Sequence, residues 1–144
     1  MNKDFNTKKL DFFPSGSGDN DSLHAALNET SKILCEWFSK SNDIDILPSK
    51  TNFKFSPPNE KGTNFENLLH DISSLIYSSF NPSNPGSIAH LDPPPLTLSI
   101  IGDLIAGSLN NNLLANELSP SISKLEQEIC EWFALELGFD KHSG

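Results

Sequence analysis

Four histidines, two cysteines and ten lysines carry most of the chemistry this 144-residue chain could offer. His24, His70, His90 and His142 are scattered, without the ligand spacing or the neighbouring cysteine that a zinc site requires. No metal site is expected. Glu126, Glu128 and Glu131 recur at the spacing of a solvated helix face, not of an acid–base pair. No glycine-rich turn stands before a helix to cradle a phosphate. Cys35 and Cys130 both lie in Cys-Glu-Trp-Phe, late in amphipathic helical patterns where a buried free thiol is common; whether they pair stays open. No catalytic and no cofactor-binding residue is assigned within the chain. His90 is a loop histidine. It sits in Ala89-His90-Leu91-Asp92-Pro93-Pro94-Pro95, where three prolines stiffen the backbone and a polar group loses little entropy on meeting a ligand.

The elements that must position these residues read as helices. The chain is expected to be all-α, with about four helices and irregular connectors. Residues 1–20 read as a flexible arm, 21–80 as two helices with a proline-rich connector, and 81–144 as a loop followed by two more helices. The first helix is expected over 22–39 with Asp21 as N-cap, burying Leu23, Leu27, Thr30, Leu34, Trp37 and Phe38. The connector holds Pro48, Pro57, Pro58 and Gly62, and residues 52–56 alternate as a brief extended segment would. Thr63-Asn64-Phe65-Glu66 reads as a capping box that opens the second helix. Its stripe of Phe65, Leu68, Leu69, Ile72, Leu75, Ile76 and Phe80 runs to a stop at Asn81-Pro82.

The third helix, over 96–109, is apolar nearly all round. Such a helix needs cover on more than one side, from a second chain or from the rest of this one. Gly102 and Ala106 would let another backbone come close. The fourth helix has the clearest ends: Ser119 as N-cap, Pro120 at the first helical position and Gly138 as the stop. Ile122, Leu125, Ile129, Trp132, Phe133 and Leu137 are expected to face inward, and Lys124, Gln127, Glu128 and Glu131 to face water. The repeat of Cys-Glu-Trp-Phe has no matching flanks and reads as coincidence.

Composition excludes several partner classes. The net charge is −9 and every basic residue is a lysine, so a nucleic acid or an anionic membrane surface would meet no basic patch. The N-terminal residues lack the apolar core of a signal peptide, and the longest apolar run, 96–109, is broken by Asp103 and too short to span a bilayer. A soluble, cytoplasmic protein is expected.

The stretch from about residue 80 to 144 carries A-H-L-D-P-P-P-L, G-D-L, N-N-N-L-L and E-L-S-P-x-x-x-x-L-E in that order. It resembles the N-terminal region of the pyridoxal-phosphate-dependent amino acid decarboxylases of group II, which include aromatic amino acid, glutamate and diaminobutyrate decarboxylases. The resemblance implies that the chain is the N-terminal part of a fold-type I α/β enzyme, a homodimer, and that it stops before the cofactor-binding core. It implies that residues 1–20 lie against a partner subunit and that 81–144 form a substrate-loop and dimerisation segment. His90 and Pro93 would fall on the loop beside the substrate carboxylate; where some relatives offer a hydroxyl, Pro93 offers none. Asn112 and Leu114 would reach into the partner subunit's pocket. Pyridoxal phosphate needs a lysine, an acid opposite its ring nitrogen and a phosphate cradle. None of the ten lysines matches the family's His-x-x-x-Lys context, so the chain alone is expected neither to hold the cofactor nor to decarboxylate. A non-catalytic helical interaction module, or the product of a decayed gene, is the reading from another class.

Overall fold

The computed structural model describes residue 14 and residues 21–48, 60–88 and 91–143. The arm over 1–20 lies outside them apart from Pro14, as do the alternating segment 52–56 and the pair Ala89-His90. Four α-helices follow one another, with no strand among the described residues: α1 (Asp21–Ser39), α2 (Phe65–Tyr77), α3 (Thr97–Leu109) and α4 (Pro120–Glu136), with a 3-10 turn at Asn116–Leu118. The chain is all-α over this range, as its periodicity predicts. It divides into two compact units, 1–94 and 95–144.

In the first unit α1 packs on α2. Trp37 is the one buried apolar side chain among the described residues, at 7% exposure, with Phe38 edge-on to it at 5.0 Å. Leu34 and Phe38 are half-buried, whereas Leu23 and Leu27, nearer the helix start, are exposed. Cys35 is exposed and free, contrary to expectation. Two residues along a helix is about 200° of turn, so the register that buries Trp37 turns Cys35 outward. Lys40 donates to Glu36 one turn earlier, which holds its ammonium above the ordinary lysine range. The pair is exposed and adds little to stability.

The capping box predicted at Thr63 is displaced by one residue. Asn64 is the N-cap, and its Oδ1 accepts from the Asn67 N–H at 2.8 Å. Asn caps at least as well as Thr, and after the shift Glu66 remains in the first turn, where the helix dipole favours it. The C-terminal end is also earlier than the stripe implies. Tyr77 is the last helical residue, three before Phe80. The Ser79 N–H has tightened onto the Ile76 carbonyl at 3.1 Å, and its hydroxyl donates to the Leu75 carbonyl at 2.8 Å. Serine side chains competing in this way weaken a helix end before any proline does.

Past α2 the chain is tied back to the end of α1. Asn81 is fully buried, and its Nδ2 donates to the Ser41 and Ile44 carbonyls at 2.8 and 3.2 Å. Asn84 Nδ2 donates to the same two carbonyls at 3.2 and 3.0 Å. The Asn81 N–H donates to Ile46 at 2.9 Å.

In the second unit α3 starts one residue later than expected. Leu96 stands at the N-cap without a side-chain bond, and the helix ends at Asn110, which is left-handed at φ 45°. Asparagine is among the few residues that accept that conformation. No residue of α3 is buried. The 3-10 turn packs on α4. Ser119 precedes Pro120 as expected, yet its hydroxyl makes no capping bond. It is fully buried, and like the Ser123 hydroxyl it has no partner among the described residues.

The expected inward face of α4 is overturned. Ile122 is half-buried, but Leu125, Ile129, Trp132, Phe133 and Leu137 are all exposed, and Cys130 is a free, exposed thiol. The face is amphipathic in sequence and lacks cover from the described residues. Gly138 ends the helix as predicted. At φ 79° it closes a Schellman motif, with Gly138 N–H on the Leu135 carbonyl at 3.0 Å and Phe139 N–H on the Ala134 carbonyl at 2.8 Å.

Candidate functional site

The predicted binding residues fall on two segments. The first is the loop that follows α2. Asn84 opens a turn there: its Oδ1 accepts from the Gly86 N–H at 2.7 Å and its carbonyl from the Ser87 N–H at 2.8 Å. Gly86 is held close to the connector after α1, because a Cβ on it would come within 3.0 Å of Ile46 Cδ1. The chain emerges at Ile88, which is 82% exposed. His90 lies outside the described residues. Beyond it Leu91 is almost fully exposed, and Pro93 is exposed without regular structure. A proline ring offers no side-chain donor or acceptor, so Pro93 can shape a wall but cannot hold a carboxylate.

The second segment follows α3. After left-handed Asn110, the Asn112 Oδ1 accepts from the Leu114 N–H at 2.8 Å. This is an Asx turn. It joins the two predicted residues directly and leaves the Leu114 side chain 92% exposed. Pro93 belongs to the first unit, and Asn112 and Leu114 to the second.

A third feature went unread in the sequence. The turn at Gly138 sends the chain back along α4, so that Lys141 Nζ lies 3.1 Å from Glu131 and His142 Nδ1 lies 3.9 Å from it. Glu131 is half-buried in consequence, where a solvated face was expected. Glu126, Gln127, Cys130, Glu131, Lys141 and His142 line an open cleft of about 340 Å³. Cys130 and His142 therefore share a surface despite their separation in sequence. Among the described residues no three of His, Cys, Asp or Glu are placed to hold a metal ion.

Four of the five described lysines do not fit pyridoxal phosphate. A lysine that condenses with a carbonyl is activated by desolvation or by a neighbouring cation. Lys32, Lys40, Lys124 and Lys141 are each more than half exposed and each faces a carboxylate, of Glu29, Glu36, Glu128 and Glu131 respectively. That setting is a solvated surface ion pair, not a desolvated amine. Among the described residues no helix is long and apolar enough to cross a membrane.

No family model matches the chain. Among curated proteins it is 22% identical over 118 residues to an L-2,4-diaminobutyrate decarboxylase of Acinetobacter baumannii, a match that takes in 80% of this chain and 23% of the relative. It is 25% identical over 103 residues to an L-aspartate decarboxylase of Metarhizium robertsii, over 69% of this chain and 21% of the relative. The chain thus spans less than a quarter of the length of these relatives. It is a distant relative of amino acid decarboxylases.

Proposed function

We propose that the chain serves as the N-terminal helical part of a pyridoxal-phosphate-dependent L-amino acid decarboxylase, where it contributes dimer contacts and one wall of the substrate pocket. The observation that carries this reading is the pair of matches, which cover most of the chain and end in two proteins of one reaction type. The substrates named for those relatives share an α-amino acid group and differ in side chain. The reading therefore commits to an α-amino acid that loses its α-carboxylate. Pyridoxal phosphate would supply the electron sink for that loss. Its lysine, acid and phosphate cradle would come from a catalytic core outside these residues, in keeping with the surface ion pairs that occupy Lys32, Lys40, Lys124 and Lys141. Within the pocket the loop would contribute His90 as a polar contact and Pro93 as apolar wall, and Asn112 and Leu114 would face the active site of a partner subunit.

His90→Ala tests the pocket assignment, in the chain joined to the catalytic core of a related decarboxylase. A hydrogen bond to a charged group contributes about 1.5–3 kcal/mol, so kcat/KM should fall about tenfold to a hundredfold. Cofactor occupancy and dimerisation should not change. Equal kcat/KM would assign His90 to the surface, and a fall accompanied by loss of the dimer would make the loop a structural element.

A further inference from the structure

The asparagines beyond α2 do more than end a helix. An amide nitrogen donates two hydrogens, and a backbone carbonyl offers two lone pairs. Asn81 and Asn84 each direct their amide at both Ser41 and Ile44, at 2.8–3.2 Å, so two side chains saturate two carbonyls. Asn81 does this with no exposed surface. Asn84 uses its remaining atom, Oδ1, on the Gly86 N–H at 2.7 Å. One side chain thereby links the end of α1 to the first turn of the loop. Gly86 then packs against Ile46, whose Cδ1 would lie 3.0 Å from a Cβ placed there, so the loop's first turn runs close against the connector after α1. With Trp37 as the one buried apolar side chain among the described residues, a polar tie has unusual weight in holding this connection.

We propose that Asn81 and Asn84 form a latch that sets where the proline-rich loop leaves the α1–α2 pair, and that they are positioning residues for that loop. The latch stands on its own geometry; that the loop it aims is a substrate wall rests on the function proposed above.

Asn84→Asp separates the latch from the local turn. A carboxylate still accepts from the Gly86 N–H, but it has nothing to donate to Ser41 and Ile44 and places charge against their oxygens. In the full chain, with Cys35 and Cys130 replaced by serine, spin labels at Ser39 and Ile88 report the distance from helix end to loop. Labelled chain is diluted in unlabelled chain. The parent should give a narrow distance distribution, and Asn84→Asp a broader one. Hydrogen exchange at the Asn81 N–H should quicken about tenfold, the equivalent of one lost hydrogen bond, while amides inside α2 keep their protection. Unchanged width and exchange would overturn the latch. Loss of protection throughout α2 would overturn the positioning role, since the asparagines would then support the helices generally. In the chain joined to a catalytic core, the same variant should raise KM about tenfold with kcat little changed. A parent that is inactive in that setting would sink the decarboxylase reading, with the latch still decided by the distances.

Discussion

Leu104→Glu is expected to convert an associating chain into a monomer. Residues 96–109 expose Leu96, Leu98, Ile101, Leu104, Ile105 and Leu109, each at 46% or more, and α3 buries none of its residues. An apolar helix this open is typical of an interface awaiting its partner. Gly102 and Gly107 have open space where a Cβ would lie, so a neighbouring backbone could approach closely. A second copy of this chain is the partner we propose. A glutamate at the centre of such a contact would be buried unpaired, at a cost of about 3 kcal/mol or more, which weakens association over a hundredfold. Leu104 is half exposed, so the helix itself should survive the change, and circular dichroism verifies that. Sedimentation of the two chains across a concentration series gives the answer. A parent that is already monomeric and unfolds cooperatively would sink the prediction, and would mean that the apolar surface of α3 is covered from within.

The second large effect is a loss of cofactor binding that is complete in the isolated chain. Mixed with pyridoxal phosphate, the chain should give no saturable, stoichiometric visible absorbance. The four lysines in ion pairs are solvated and held by carboxylates, whereas a nucleophilic amine is desolvated or set beside another cation. Lys141 merits the most direct control, because it lines a cleft. A stoichiometric band abolished by Lys141→Met would place a cofactor site within this chain, and the proposed division of labour with a separate core would fail.

Helix positions were legible in the sequence because their signals are local. Pro120 and Gly138 bracket α4 as expected, since a missing N–H and a permitted positive φ depend on one residue each. Burial was not legible, and the two copies of Cys-Glu-Trp-Phe show why. Trp37 is 7% exposed and Trp132 is 55% exposed, although both sit late in an amphipathic helix beside a phenylalanine. The same four residues meet different surroundings, and only tertiary contacts decide which ring is covered. The α2 ends were misplaced for a subtler reason: Thr63 and Asn64 can both cap, and Ser79 competes for the backbone before Asn81-Pro82 is reached. Of the candidate site, Asn112 and Leu114 were named, and they are joined by a turn. The asparagine latch went unread because its acceptors lie about forty residues earlier. The repeat Asn-Pro-x-Asn-Pro was its one visible trace.

That repeat also bears on how the molecule ages. Asparagine loses its amide mainly when the next residue's backbone nitrogen attacks the side-chain carbonyl and sheds its proton in closing a five-membered ring. Asn81 and Asn84 are each followed by proline, whose nitrogen has no proton to shed. Asn110, Asn111 and Asn112 are followed by ordinary residues, and Asn110 and Asn112 are exposed at a helix end. On prolonged warm storage, peptide mass mapping should find new acid at 110–112 while 81 and 84 stay intact; conversion at the latch first would contradict this. The tie that anchors the loop is built from the two asparagines in this stretch that are chemically barred from decaying by that route.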